Sequence, residues 1–194
     1  MMTQAQDLLV VGVGGQGTLL ASNIIAEVGR RAGYDVKKSE VHGMAQRGGS
    51  VSSHVRWGDR VYSPLIPLGK ADILVSLERV ESLRYLEYLG PSSKVIVNDH
   101  VIVPVTVTTG SASYPTRQSI LDAIRQVTND LMIVPGISIA EELGNVRASN
   151  VVLLGSLACQ LAVDRTTWEE VIADMVPVRY RDLNLEAFVR GFAL

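Results

Sequence analysis

At 194 residues, with 47% hydrophobic and 20% charged side chains, the chain suits one compact domain with a substantial core. A net charge of −2 and the lack of any basic run give a nucleic-acid role no electrostatic footing. The single cysteine, Cys159, rules out an internal disulfide and the set of about four thiolates that an iron–sulfur cluster needs.

No basic stretch followed by an apolar run opens the chain. The longest apolar run, residues 151–163, is broken by Ser156 and Gln160 and falls short of the ~20 residues that cross a bilayer. A cytoplasmic protein with no membrane partner is expected. Residues 8–13 form a short apolar run closed by glycines, the pattern of a buried parallel strand. Residues 18–32 then read as a helix, with Leu20, Ile24 and Val28 on one face and Glu27, Arg30 and Arg31 turned away. Gly33 stands where a helix C-cap is expected, and residues 34–39 give a second strand. The opening is therefore a strand–helix–strand unit.

From there the period changes to two. Val51, Ser53, Val55 and Trp57 alternate with Ser52, His54 and Arg56, and Gly58-Asp59 followed by Arg60-Val61-Tyr62 predicts a tight hairpin. Residues 73–76 read as a buried strand, 78–89 as a helix stopped by Gly90-Pro91, and 94–98 as a strand. Residues 101–108 are β-prone but contain Pro104, which predicts an edge strand or an extended connection. A helix at 116–126 and a core strand at 131–134 follow. Helices at 137–143, 146–163, 166–175 and 185–192 complete a helical tail, the third capped by Asp164 or Thr166. These elements make one α/β domain over residues 1–194: a Rossmann-like mixed sheet flanked by helices, with a helical C-terminal portion.

Two segments carry more than a plain fold requires. Gly12-Val13-Gly14-Gly15-Gln16-Gly17 follows a strand and opens a helix, as a nucleotide-binding fingerprint must. Its first glycine permits the tight turn, its second lets a phosphate approach the backbone, and its third lets helix and strand pack closely. Free N–H groups at the helix start favour an anion. Gly12, Gly14, Gly15, Gln16 and Gly17 are therefore candidate cofactor-binding residues. The acidic residue that would hold a ribose falls near Glu40, behind Lys37 and Lys38. Packing, a site for a phosphate-bearing partner, and NAD(P) binding in an oxidoreductase all remain open on these residues.

The second segment is Glu40-Val41-His42-Gly43-Met44-Ala45-Gln46-Arg47-Gly48-Gly49-Ser50. Arg47 offers a planar fork of donors for a carboxylate or phosphate, Gln46 both donates and accepts, and His42 changes charge near neutral pH. Gly48 and Gly49 allow backbone shapes that other residues resist. His42, Gln46, Arg47, Gly48 and Gly49 form a candidate loop facing a substrate or partner; the plain alternative is a solvated connection. His54, on the polar side of its strand, reads as satisfied or solvent-facing, and His100 is assigned no chemistry. Cys159 reads as inert core within an apolar helix. Gly155, Ser156 and Ala158 read as core packing rather than contact with another chain. No histidine spacing predicts a metal site, and no catalytic residue is named.

Together these residues resemble the gamma domain of the 2-oxoacid:ferredoxin oxidoreductases. The match rests on the glycine turn, on residues 39–50, on Tyr62-Ser-Pro-Leu-Ile-Pro67 with Ala71-Asp72, and on Ile139-Ala-Glu-Glu-Leu-Gly-Asn145. The His-Gly-Met-Ala-Gln-Arg-Gly-Gly form favours the indolepyruvate branch, whose small beta subunit it resembles, over the pyruvate and 2-oxoglutarate branches. The resemblance implies a subunit, inactive alone, of a complex that oxidatively decarboxylates arylpyruvates such as indolepyruvate. With coenzyme A as co-substrate and ferredoxin as acceptor, the products are acyl-CoA, carbon dioxide and reduced ferredoxin. It places thiamine diphosphate, Mg2+ and [4Fe-4S] clusters on a large alpha subunit, and this chain lacks the Gly-Asp-Gly followed by Asn-Asn that thiamine diphosphate requires. Within that picture Lys37 and Lys38 attract coenzyme A phosphates or are simply a solvated strand end.

Overall fold

The structure, a computed structural model, describes residues 5–42 and 49–194, with only the backbone of His42 described. Six strands, β1 (Gln6–Val13), β2 (Asp35–His42), β3 (Ser50–Gly58), β4 (Ala71–Ser76), β5 (Leu89–Asn98) and β6 (Leu131–Val134), form one sheet. Their order is β2-β3-β1-β4-β5-β6. Strands β1, β4, β5 and β6 run parallel, while β3 is antiparallel to both β1 and β2, which makes the sheet mixed. The helices are α1 (Thr18–Arg31), α2 (Arg79–Leu83), α3 (Val105–Thr108), α4 (Arg117–Arg125), α5 (Gly136–Glu142), α6 (Ser149–Ala158), α7 (Arg165–Met175) and α8 (Arg181–Phe192).

Strand β1 is apolar without interruption because both of its faces are covered. Leu8 and Val10 enter one core with Ile24, Val28, Trp168 and Phe188; Leu9 and Val11 enter a second with Leu74, Ile120 and Ile124. The first core is closed by α1 and by the C-terminal helices, the second by α2, α4 and the connection 59–70.

Several expectations need correction. The opening strand–helix–strand unit is present as β1, α1 and β2, but its two strands are not neighbours, because β3 lies between them. Nor do residues 58–62 form a hairpin. Arg56 Nη1 donates to the carbonyls of Ser63 and Leu65, and the Ile66 N–H donates to His54, which folds the 59–70 connection back over β3. The hairpin of this sheet is β2 with β3, in register from Asp35↔Gly58 to His42↔Val51.

The helix expected over 78–89 ends at Leu83, and Gly90-Pro91 belong to a bulge within β5 rather than to a helix stop. The bulge holds because Ser93 Oγ accepts the Gly90 N–H and donates to the Ala71 carbonyl. Residues 105–108 turn helical under Pro104, with the Thr108 and Thr109 hydroxyls donating back to the Val105 carbonyl. The apolar run 146–163 divides into a 3-10 turn at Val146–Ala148 and α6, which ends at Ala158. Cys159 caps that helix and is exposed, so it is not core. Gly155 meets α8 so closely that an added Cβ would lie 2.2 Å from the Phe188 carbonyl oxygen, which makes this small-residue face an internal packing surface.

Candidate functional site

In an open parallel sheet the carboxyl ends of the strands gather the connecting loops, and a crevice opens where successive helices leave to opposite faces. Here β1 sends its helix α1 into the first core, and its parallel neighbour β4 sends α2 toward the second. The crevice therefore lies beyond Val13 and Leu77. The antiparallel hairpin reaches the same edge, because Val13 is paired with Ser50.

The two segments singled out by the sequence meet there. The Gly14 N–H donates to the Gly49 carbonyl at 2.9 Å. Gly15 and Gly17 take φ of 104° and 84°, values that side chains resist, and Gly17 lies so close to Asn150 that an added Cβ would stand 2.3 Å from Nδ2. Gln16 folds back on its own turn. Its Oε1 accepts the Val13 N–H at 2.7 Å, and its Nε2 donates to the Leu77 carbonyl at 2.9 Å. Asn98 Nδ2 donates to that same carbonyl, while Asn98 Oδ1 accepts the Gly136 N–H at 3.1 Å. A polar seam thus runs along the strand ends from β1 through β4 and β5 to α5.

This seam argues against a dinucleotide. The Val13 and Gly14 amides, which a pyrophosphate would use, already have partners. Glu40 lies on β2, one strand further from β1 than a ribose-binding acid requires, and it takes the Lys38 ammonium. Lys38 also donates to Asn23, and Lys37 pairs with Asp35 at 2.7 Å, so neither lysine is a bare strand-end charge.

Two clefts flank the seam. One, of about 460 Å³, is bounded by Gly15, Gly17, His100, Arg147 and Asn150. The other, of about 260 Å³, is bounded by Gly49, Ser50, Glu78, Glu81, Arg84 and Val105. Glu78 is fully buried, with its carboxylate accepting from the Glu81 and Ile102 N–H groups and the Tyr114 hydroxyl. Burial and that carboxylate hold the Tyr114 hydroxyl protonated far above the ordinary phenol range. Glu81 accepts from the Ser50 hydroxyl and from Arg84.

Of the expected loop residues, Gly49 sits at the seam, His42 closes the ladder opposite Val51, and Gln46, Arg47 and Gly48 lie outside the described residues. His54 is buried and far from this edge. Its Nδ1 accepts the Ile66 N–H at 3.2 Å, and burial and Arg56 lower its pKa. Of the two readings its strand left open, it is therefore the satisfied one. Sequence reading missed Glu78 and Glu81; the available signal was an acid at the end of an apolar strand, positioned to cap the next helix. Among the described residues no group of three or more His, Cys, Asp or Glu side chains is placed to hold a metal ion. With one cysteine the chain cannot supply the ligands of an iron–sulfur cluster.

Comparison with known proteins gives this architecture its relatives. The chain is 44% identical over 190 residues to "Indolepyruvate oxidoreductase subunit IorB" of Archaeoglobus fulgidus, covering 96% of this chain and 93% of the relative. It is 40% identical over 192 residues to the protein of the same name from Thermococcus kodakarensis, covering 95% and 93%. Its fold matches the crystal structure of a keto/oxoacid ferredoxin oxidoreductase gamma subunit from Geobacter sulfurreducens with a TM-score of 0.71. That match is at 23% identity over 97% of this chain and 96% of the other. Residues 7–194 match the family described as Pyruvate ferredoxin/flavodoxin oxidoreductase, and the chain belongs to that family.

Proposed function

We propose that this chain is the small, gamma-type subunit of an indolepyruvate ferredoxin oxidoreductase, with residues 1–194 forming one such domain. The complex oxidatively decarboxylates arylpyruvates in the cytoplasm, consuming coenzyme A and passing electrons to ferredoxin. The full-length relatives named for indolepyruvate oxidoreductase support this reading over a nicotinamide-dependent one. Thiamine diphosphate, Mg2+ and [4Fe-4S] clusters belong to a large alpha subunit, where the thiamine cofactor supplies the electron sink for decarboxylation.

The observation that carries the site is the Gly14–Gly49 bond, which ties the glycine turn to the His-Gly-Met-Ala-Gln-Arg-Gly-Gly connection at the crevice. On this chain His42, Gln46, Arg47, Gly48 and Gly49 face the substrate or the large subunit, beside Gly12, Gly14, Gly15, Gln16 and Gly17. Arg47 supplies a fixed cation and a donor fork for a carboxylate or phosphate. None of these residues is assigned a catalytic role.

The test is an anaerobic pull-down of the tagged chain from its host, with the eluate assayed for dye reduction that depends on arylpyruvate and coenzyme A. A larger, brown, thiamine-containing partner with that activity is expected; a chain recovered alone and inactive overturns the subunit reading. Arg47→Ala in the assembled enzyme is expected to lower turnover about tenfold or more, the scale of one lost charge-assisted hydrogen bond, without unfolding the subunit. An unchanged rate removes Arg47 from the site.

A further inference from the structure

The head of α2 carries a carboxylate that the proposed function leaves unused. Glu81 is 4% exposed, and both of its oxygens have partners: Oε1 accepts from Arg84 Nε at 3.0 Å and Oε2 accepts from the Ser50 hydroxyl. The Tyr85 hydroxyl lies 3.0 Å from that same Ser50 oxygen. Ser50 is the first residue of β3, and the residue before it is the one whose carbonyl receives the Gly14 N–H. The foot of the 43–49 connection is thus held twice, once through backbone and once through this side chain.

We propose that Glu81 is a positioning residue that fixes where the chain enters β3, and with it the Gly14–Gly49 bond at the crevice. The proposal rests on the reading that the Gly14–Gly49 contact borders the shared site. A buried carboxylate tolerates only arrangements that supply it with donors. A slip of β3 by one residue would bring Gly49 or Val51 to Glu81, and neither side chain has a donor. The bond to Ser50 therefore selects a single register at the strand entry, where a glycine-rich connection by itself selects none. Glu78 holds residues 102 and 114 on the far side of the same cleft, so the first turn of α2 braces both flanks of the crevice.

Amide hydrogen exchange on the full chain tests the brace directly. In Ser50→Ala the Gly14 amide is expected to exchange roughly threefold to tenfold faster, with the Val97 amide in the core of β5 unchanged. Ser50→Thr, which keeps the hydroxyl, is expected to restore protection. Ser50→Ala combined with Glu81→Ala should be no worse than Glu81→Ala alone, the signature of one shared interaction. In the assembled enzyme Ser50→Ala should raise the KM for arylpyruvate severalfold while kcat changes less. An unchanged Gly14 amide in folded Ser50→Ala overturns the proposal whatever the enzyme assay gives. A faster amide with unaltered KM keeps the brace but breaks its link to the site. An Arg47→Ala enzyme with normal turnover overturns the reading of the site itself. Should Glu81→Ala fail to fold, Ser50→Ala and Ser50→Thr decide the matter.

Discussion

Gln16 separates this glycine turn from a phosphate cradle. Its amide does for the Val13 N–H what an anion would do, and it links the ends of β1 and β4 at the same time. Gln16→Ala is expected to cost about 1–2 kcal/mol, because it strands a backbone donor at the strand end; urea unfolding of the full chain measures it. Gly17→Ala meets both a left-handed φ and Asn150, and a loss of about 1–3 kcal/mol is expected from the same measurement. The glycines and their context were legible in the sequence, whereas the fold-back of Gln16 was not, since a side-chain amide can donate or accept anywhere within reach. His54 shows another limit. Its alternation suggested a polar face, but the 59–70 connection covers that face and buries it. Because its folded pKa lies below the ordinary 6.5, the unfolded chain takes up the proton first. His54 should therefore leave stability intact above pH 6.5 and erode it as pH falls below that value. A Tm series from pH 7.5 to 5 checks this, and His54→Gln should flatten the slope.

The elements that carried their own boundary signals were read well from the sequence. Strand β6 is a four-residue apolar run between turn residues, and α4 falls within the helix read over 116–126, with the Thr116 side chain capping it. Partners were harder to read, because a period of two announces a strand but not its neighbour. Gly58-Asp59 looks like a hairpin turn, yet the chain there runs into a long connection held by Arg56, while the antiparallel pair is β2 with β3, the strands on either side of the segment read as a site. The C-terminal helices lock by a close crossing in which an added Cβ on Gly191 would sit 1.9 Å from the Val152 carbonyl oxygen. Gly191→Ala must push α8 off α6, and a loss of at least about 2 kcal/mol is expected in thermal or urea unfolding. On the outside, Arg31 joins α1 to α7 through Glu27 and Asp174. Hydrogen bonds from Arg30 and Arg31 hold the Glu27 carboxyl down at about 2. Its contribution is therefore present above pH 4.5 and disappears as the pH falls toward 2, with salt weakening it throughout.

At the scale of the whole molecule, the sheet divides the chain into two layers with different duties. One is thick and apolar, built from α1 and the C-terminal helices; the other is thinner and carries the carboxylates of α2 beside the crevice. The family and the two marked segments were legible from residue types alone. Their meeting point was not, because it depends on β3 threading between β1 and β2. The same division has an optical consequence. Both tryptophans, Trp57 and Trp168, are buried in the thick layer, whereas Tyr85, Tyr88 and Tyr114 pack in the thin one. Emission excited at the red edge of the absorption band therefore reports only one half of the molecule. A ligand or partner that reorganises the crevice from the α2 side can leave that signal flat, and its arrival is recorded by tyrosine absorbance instead.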